Sequence, residues 1–478
     1  MIYGSSVILA RLLNLAFTPL YTNIFEREIY GIYTNLYAYV ALVNVLLTFG
    51  METTFFRFIQ DSADPRKIYG QAFFWVGSMA GGFAILATSL HGILADWMGY
   101  SGQEQYLLYL IAIVGLDALA ALPLAKLRHE DRVGWFATIL ITNVLVTLAA
   151  NLVFVYWLRW GIEWVFISNL IASAIRLGMA LWKNLPSHLK PEKGVLRPML
   201  DYAWYIMIAG MAGIMNETLD RIMIPFRWED GKVFDGMAMT GEAMNGIYGA
   251  NYKVAMLIAL ATQAFRYAAE PFFFKEDGNK DSPRTFARVF HYFMLAALTG
   301  FLVISSFAQE IVSFDVFGLT EGTFVNEAYW SGVKVVPILL AAYVFSAAYI
   351  NLSIWFKITK QTRFAILFTG TGALITILIN YIGIPILGYM ASAWATLACY
   401  AVMSVMVYFV GQKYYPVPYQ VGRLLGYGML FALAFALNQQ IGPTNAYWPA
   451  FLYKAMVCLV VLAGVAWVEK WNPILPHT

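Results

Sequence analysis

The feature that most constrains this chain is a succession of about fourteen apolar segments that fills almost its whole length. Most are long enough to cross about 30 Å of hydrocarbon as a helix, which takes about 20 residues. Because helices satisfy their own backbone hydrogen bonds in lipid, a chain that is 60% hydrophobic and 12% charged predicts an all-α polytopic membrane protein. The predicted spans are residues 2–25, 30–56, 68–93, 103–125, 134–157, 161–183, 198–226, 242–274, 284–307, 332–356, 364–383, 385–410, 419–440 and 446–468.

Lysine and arginine residues lie mainly in alternate connections between these spans. Of the 31, twenty lie in the even-numbered connections or after the last span, five in the odd-numbered connections, and six inside spans. Because cytoplasmic loops carry an excess of Lys and Arg, we expect both termini in the cytoplasm. The opposite connections 227–242 and 307–331 are rich in Asp and Glu instead.

Several classes of protein are excluded by the same reading. Cys399 and Cys458 fall in apolar spans, so we expect neither a disulfide framework nor a metal site. No connection is long enough for a soluble domain, and no Gly-rich phosphate loop follows a strand. The first span lacks the basic start and small-residue cleavage site of a signal peptide. We therefore expect no enzyme, no cofactor and no nucleic-acid partner.

The chain also repeats itself. Residues 31–42 (GIYTNLYAYVAL) match residues 246–257 (GIYGANYKVAML) without a gap, and Glu52 and Glu270 each open a stretch of aromatic residues that ends in a base. Further matches follow in the same order, at offsets that drift from 215 to 231 residues. Spans 1–6 and 7–12 are therefore predicted to be two copies of one six-helix unit.

Both copies begin on the same side, so the repeats should be parallel. Parallel repeats in membranes build two lobes around a central cavity, with transport by rocking of one lobe against the other. The prediction is an N-terminal lobe over residues 1–185, a C-terminal lobe over 196–410 and two additional transmembrane helices within 419–468.

The opening of the chain carries a family resemblance, which rests on Tyr3-Gly4, Arg11, Pro19-Leu20-Tyr21, Tyr30-Gly31-Ile32-Tyr33 and the stretch from Gly50 to Arg57. These residues resemble the start of bacterial polysaccharide-export flippases of the Wzx type, which form a superfamily with MATE drug exporters and lipid II flippases. The resemblance implies a V-shaped fold and a flippase of undecaprenyl-diphosphate-linked oligosaccharide in O-antigen, lipopolysaccharide or capsule synthesis. It also implies a location in the bacterial cytoplasmic (inner) membrane, a coupling ion, H+ or Na+, and a glycan polymerase as partners beside the bilayer.

Charges inside the spans are the candidate substrate-binding residues. A charge near the middle of a bilayer is costly, so it faces a cavity or a partner. Depth in the membrane can be estimated from the helical rise of about 1.5 Å per residue. By this estimate four charged residues lie near mid-span: Arg11, Asp117, Arg176 and Lys253. We expect Arg11 and Lys253 to hold a diphosphate, followed by Arg176, with Asp117 holding a cation or carrying a proton. An Arg11–Asp117 or Arg176–Asp117 structural pair is the alternative.

Other intramembrane charges occur four residues apart, which places them on one helical face. Glu217 and Arg221 form one such pair, and Arg266 and Glu270 form another. Either pair can contribute to a substrate site or brace its own helix.

Tyr37 and Tyr252 stand at equivalent positions in the two copies. Most aromatic residues near the ends of spans form interfacial belts, but these two could also stack against sugar.

Three alternatives compete with the oligosaccharide flippase. A MATE-like multidrug or cation antiporter predicts an acidic cavity, whereas the predicted cavity is mainly cationic. A lipid II flippase is disfavoured because that family has an Arg-Asp pair early in span 1, and here Arg11 is followed by Leu12. A membrane-embedded glycosyltransferase, acyltransferase or polymerase is not expected to be duplicated.

Overall fold

The computed structural model of the chain describes residues 15–60, 62–182, 184–276, 279, 281–315, 322–359, 361, 363–440 and 447–471. These residues are mostly helical, as the apolar segments predict, and they divide into one compact unit up to Gly246 and a second from Ile247 onwards. The sequence expectation of an all-α polytopic membrane protein is confirmed.

The first unit is built from nine helices within its described residues and a two-stranded antiparallel hairpin. They are α1 (15–24), α2 (Arg27–Thr48), α3 (Met51–Gln60), α4 (Pro65–Ser89), α5 (His91–Trp97), α6 (Glu104–His129), α7 (Val133–Asn151) with a π-helical continuation (Leu152–Trp157), α8 (Glu163–Leu181), α9 (Lys193–Arg227), β1 (Val233–Phe234) and β2 (Met237–Ala238).

The second unit contains most of α10 and all the helices that follow. They are α10 (Gly241–Glu276), α11 (Ser282–Ser306), α12 (Ala308–Val312), a 3₁₀ helix (Glu327–Val335), α13 (Val336–Leu352), α14 (Ile354–Ile358), α15 (Arg363–Leu387), α16 (Tyr389–Tyr414), α17 (Val421–Gln440) and α18 (Tyr447–Trp471).

Eleven helical segments of the described chain are long and apolar enough to cross a membrane. Of the fourteen predicted spans, the first falls largely outside the described residues. The other two that are missing from the eleven are α9 and α10, with 35 and 36 residues. These two are long enough but more polar in mid-helix. A long helix that is too polar for lipid on every side needs water or protein against one face.

In the first unit α2 packs on α9, and α6 packs on both α4 and α8. Its main core joins α3, α4, α6 and α9 through fully buried side chains such as Met51, Phe55, Ala72, Ala118 and Met199. In the second unit α16 packs against α13 and α15, while α11 contacts both α13 and α17. Both cores use small residues where helices approach closely, as membrane helix packing requires.

Two equivalent glycines of the repeat meet where α2 crosses the first residues of α10, all within residues 1–246. A Cβ on Gly31 would lie 1.8 Å from the Glu242 carbonyl oxygen, and one on Gly246 would lie 2.0 Å from the Arg27 carbonyl oxygen. Asn245 fixes the crossing by donating from Nδ2 to the Gly31 carbonyl at 3.0 Å. The two helices can approach this closely only because neither glycine has a side chain.

The last two helices, α17 and α18, are attached to α11 by polar contacts. The Glu469 carboxylate pairs with Arg423 at 2.9 Å and accepts a hydrogen bond from the Tyr427 hydroxyl at 2.7 Å. His291 of α11 lies 3.1 Å from the same carboxylate oxygen and is 1% exposed. A charge this deeply buried needs such partners, so the cluster ties both additional helices to the second unit.

Candidate functional site

An ion pair joins two helices of the first unit near mid-span. Nη2 of Arg176 on α8 lies 2.6 Å from Oδ1 of Asp117 on α6, and the two side chains are 20% and 25% exposed. The sequence left open whether Asp117 pairs with Arg11 or Arg176, and the structure brings Arg176 to it. Because a charge exposed to lipid is costly, the exposed part of this pair should face a wet cavity. The pair can therefore brace two helices and still present polar atoms to a ligand.

Arg11 lies outside the described residues, so its predicted contact with a diphosphate stays a prediction.

Aromatic side chains of α2 and α8 form a second cluster in the first unit. Asn169 donates from Nδ2 to the Tyr37 hydroxyl at 2.5 Å, and the Tyr37 ring packs on Tyr33 and Phe166 with centroids 4.8 and 6.0 Å away. A neighbouring Tyr21 hydroxyl donates to Asn151 at 2.9 Å. These contacts hold the tyrosine rings in place and leave amide groups beside them.

In the second unit the corresponding tyrosine lies beside Lys253 on α10. Tyr252 is 6% exposed, and its hydroxyl is hydrogen-bonded to that of Tyr343 on α13. Lys253 is half-buried in mid-helix. Consecutive residues of a helix point about 100° apart, so packing of Tyr252 on α13 turns Lys253 toward a different side. A half-buried ammonium on a polar membrane helix is suited to an anionic ligand.

The structure arranges the charges around the predicted Glu217–Arg221 pair differently. Arg221 places Nε 3.9 Å from the carboxylate of Asp220 and donates from Nη2 to the Glu217 backbone carbonyl at 3.2 Å. Glu217 itself is exposed, whereas Asp220 is 3% exposed. The described contacts of Arg221 are therefore with a buried neighbour and the backbone, and the carboxylate inside the packed helices is that of Asp220.

The two residues of the other predicted pair, Arg266 and Glu270, contact different partners. Glu270 on α10 forms an ion pair with Lys357 of α14, and Arg266 lies over the ring of Tyr267 at 5.7 Å. In the first unit Glu52, the repeat equivalent of Glu270, forms the same kind of pair with Arg128 at the end of α6. Each copy thus joins the acid of its repeated motif to a base at the end of its fourth span.

Several amide residues inside the helices were not predicted as site residues, among them Asn151, Asn169 and Asn380. Asn151 and Asn380 are fully buried, and each donates from Nδ2 to the carbonyl of a threonine four residues earlier at 2.8 Å. Their side-chain oxygens accept hydrogen bonds from other helices, from the Tyr21 hydroxyl of α1 and the Ser392 hydroxyl of α16. An amide inside an apolar segment was the available signal, because a buried amide must find hydrogen-bond partners.

Comparison with known proteins shows the family to which the chain belongs. The family model described as "Polysaccharide biosynthesis protein" matches residues 1–275, more than half of the chain. The chain belongs to the polysaccharide biosynthesis protein family. The match covers the Asp117–Arg176 pair, the tyrosine cluster and Lys253, and it agrees with the resemblance read from the opening residues. No curated protein matches the sequence.

Solved structures extend the comparison to the fold of this family member. The lipid II flippase MurJ, in an inward closed conformation, is 12% identical with a TM-score of 0.78, over 98% of this chain and 99% of that one. An inward-facing MATE multidrug transporter of the MOP superfamily is 13% identical with a TM-score of 0.68, over 84% and 94%. A MOP superfamily transporter from Pyrococcus furiosus gives 13% and 0.58, over 86% and 94%. The polysaccharide biosynthesis family member thus has the fold of multi-pass flippases and transporters, which are not enzymes.

Proposed function

We propose that the protein moves an undecaprenyl-diphosphate-linked oligosaccharide from the cytoplasmic to the periplasmic leaflet by alternating access, for surface polysaccharide synthesis. The observation that carries the proposal is the family match over residues 1–275, which contains the intramembrane charges described above. A likeness in fold to flippases and drug exporters supports transport but does not choose between their cargoes.

The charges of the described helices suit a lipid-linked diphosphate. A diphosphate is strongly anionic and is held by positioned cations, since charge-assisted hydrogen bonds to phosphate are the stronger ones. Lys253 would supply one such cation from α10, and Arg11 would supply the other. Arg176 is already neutralised by Asp117 at 2.6 Å, so its role would be to position the walls or to bind when that pair opens.

Tyr37 would contact the glycan part of the cargo. It is half-buried and held through its hydroxyl by Asn169, whereas Tyr252 is only 6% exposed and leaves little ring surface for a sugar. Aromatic faces and amide groups together offer stacking and hydrogen bonds, the two contacts that a neutral sugar can make.

The first test of this function replaces the proposed cation. We expect Lys253→Ala to reduce surface polysaccharide to background in a strain that depends on this protein for export, with undecaprenyl-linked oligosaccharide accumulating inside. The matched control is Lys413→Ala, which removes an exposed lysine at the end of α16 and should leave export unchanged. Wild-type export by the Lys253→Ala variant at normal membrane abundance would rule out this cation as a cargo ligand.

A second candidate is lipid II, because the MurJ structure matches over 98% of the chain. One experiment distinguishes the two possible substrates. If lipid II is the substrate, depletion of the protein will stop peptidoglycan synthesis and lyse the cells. If an oligosaccharide is the substrate, depletion will remove surface polysaccharide and leave the cell wall intact.

The proposed orientation has its own test. In a cysteine-free background, Lys193→Cys at the start of α9 should react with an impermeant maleimide only after the membrane is opened. A cysteine in the β1–β2 hairpin, Asp235→Cys, should react in intact cells. Labelling of position 193 from outside would reverse the topology derived from the lysine and arginine distribution.

A further inference from the structure

A buried group of titratable side chains joins α11 to the two additional helices, α17 and α18, and the proposed transport site does not use it. His291 of α11 is 1% exposed and places Nε2 3.1 Å from Oε1 of Glu469 on α18. Arg423 of α17 lies 2.9 Å from the same oxygen, and the Tyr427 hydroxyl donates to it at 2.7 Å. We call these four residues the histidine cluster.

Two buried acceptor atoms of the histidine cluster have no hydrogen-bond donor among the described residues. Because Nε2 of His291 faces a carboxylate oxygen, it carries a hydrogen and donates it, which leaves Nδ1 as an acceptor. Nδ1 has no partner, and neither has Oε2 of Glu469, whose side chain is 9% exposed. Buried polar atoms are nearly always hydrogen-bonded. The cluster therefore has a place for one more hydrogen.

The charges of the histidine cluster balance only while the imidazole is neutral, because Glu469 and Arg423 cancel. The other titratable groups that face the His291 ring are the phenols of Tyr427 and Tyr292, with ring centroids 6.2 and 5.6 Å away. Arg288, one turn earlier on α11, is exposed. Helix α13, which also packs on α11, has no charged residue, and α10 meets α11 through phenylalanine rings. A proton added to this cluster needs compensation, because a buried unpaired charge is costly.

Arg423 can supply that compensation by leaving the carboxylate. It is the third residue of α17, at the end that the lysine and arginine distribution predicts to be cytoplasmic. Its side chain is 18% exposed, twice as much as that of Glu469. A long arginine side chain at a helix end can extend its guanidinium to the membrane surface while its stem stays among apolar groups. A proton on His291 would then replace Arg423 as the counter-ion of Glu469, and the buried charge would stay at zero.

The first copy of the repeat has a different residue at the place of this histidine. With the offset that aligns Pro65 with Pro283, His291 corresponds to Phe73 of α4. The Phe73 ring packs against the main core of the first unit. The histidine therefore belongs to the attachment of α17 and α18, which lie outside the duplication.

From these contacts we propose that the histidine cluster is a proton-binding site, with the proton taken up at Nδ1 of His291 and Arg423 released from Glu469 toward the membrane surface. The predicted cytoplasmic ends of α17 and α18 would then be held on α11 by the His291–Glu469 pair. Imidazole is the side chain that ordinarily titrates between about pH 5 and 8, so the exchange would respond to the pH of the cytoplasm. The site does not depend on which cargo the protein carries.

Nuclear magnetic resonance of the full-length protein in detergent, labelled with ¹⁵N-histidine, tests the site directly. The chain has five histidines, and the signal that disappears in His291→Gln identifies His291. We expect its Nδ1 resonance to move to the position of the protonated ring between about pH 8 and 5. A resonance that stays unchanged over this range would overturn the proposal, because the two acceptors would then be satisfied by water.

Substitution of the two charged partners should move this titration in opposite directions. Arg423→Gln removes a neighbouring cation, so the proton affinity of His291 should rise at least about tenfold. Glu469→Gln removes the counter-ion, so the affinity should fall at least about tenfold. The control is Lys413→Gln, an exposed lysine near the same end of the helices, which should titrate as wild type. Shifts in the same direction, or no shift in the arginine variant, would overturn the proposal, and the arginine variant decides if the glutamate variant is unstable.

Thermal unfolding in detergent tests the release of the arginine. We expect Arg423→Gln to unfold at a lower temperature than wild type at about pH 8, where the arginine is the counter-ion, but at the same temperature at about pH 5, where the proton has replaced it. An equal loss at both pH values would mean that Arg423 stays on Glu469 and would overturn the exchange. His291→Gln keeps a side-chain N–H for Glu469 but cannot take up the proton, so in that background the loss should be the same at both pH values.

Discussion

The two repeat copies hold the connectors that follow their sixth spans, α8 and α16, in different ways. In the first unit, connector 184–192 is held on α4 by polar groups. Buried Gln71 donates to the carbonyls of His188 and Lys190 at 2.9 and 2.7 Å and accepts from the Glu192 N–H at 2.8 Å. A Cβ on Gly70 would lie 1.9 Å from the Ser187 carbonyl oxygen, so this connector also needs a glycine to reach its place.

In the second unit, connector 415–420 is held on α11 by aromatic rings. Phe286 stacks on Tyr415 with centroids 6.0 Å apart, and Phe290 meets Tyr419 edge to face at 4.8 Å. Val417 is buried in the same cluster. The repeat aligns Gln71 with Val289 of α11, which cannot make the three hydrogen bonds. Equivalent positions in a duplicated fold thus keep the same task while changing from hydrogen bonding to apolar packing.

The largest effect should follow from removing the aromatic support. Phe286 is 1% exposed, so Phe286→Ala should lower the free energy of unfolding by about 3–5 kcal/mol, as for other buried Phe-to-Ala changes. Thermal unfolding in detergent measures this, and proteolysis should cut connector 415–420 faster while connector 184–192 keeps its wild-type rate. Phe274→Ala is the control, because this ring is 53% exposed. Equal acceleration at both connectors would mean that they are not supported independently.

An intermediate effect is expected from the polar support. Gln71→Leu keeps the volume but leaves two carbonyls and one N–H of the connector unpaired, which should cost about 1–3 kcal/mol. Here proteolysis should accelerate only at connector 184–192. The equivalent position in the other copy is half-buried, so Val289→Leu adds a methylene where the packing can adjust and should cost at most about 1 kcal/mol. A larger loss for the valine variant would contradict the assignment of polar support to one unit and apolar support to the other.

The smallest effect concerns the ion pairs that the two units share. Glu52→Gln and Glu270→Gln should each change stability by less than about 1 kcal/mol, because the paired side chains are 30–44% exposed. The loss should be smaller for Glu52, since Arg128 also lies over the rings of Phe56 and Phe136. The double variant Glu270→Lys, Lys357→Glu should restore wild-type thermal stability. Failure of this exchange would mean that the pair is fixed by something other than charge.

Sequence alone predicted the helical membrane class, which is confirmed, and also the duplication and the mid-span positions of the charges, which stay predictions. These depend on local properties: the length of apolar runs, the alternation of cations and the repeated motif around Glu52 and Glu270. The structure adds the matching partners, since both acids pair with bases at the ends of equivalent spans. Such features can be read from the sequence because they depend on the bilayer, which surrounds every membrane helix, and not on which helices pack together.

Partner choice was decided only by tertiary structure. Helical spacing places Arg266 and Glu270 on one face, yet Glu270 pairs with Lys357 of another helix. Residue spacing likewise could not predict that Asp117 pairs with Arg176, or that His291 of α11 contacts Glu469 of α18. The reason is physical: the sequence fixes which face of a helix carries a charge, but the rotation of that helix and the identity of its neighbour follow from packing of the whole unit.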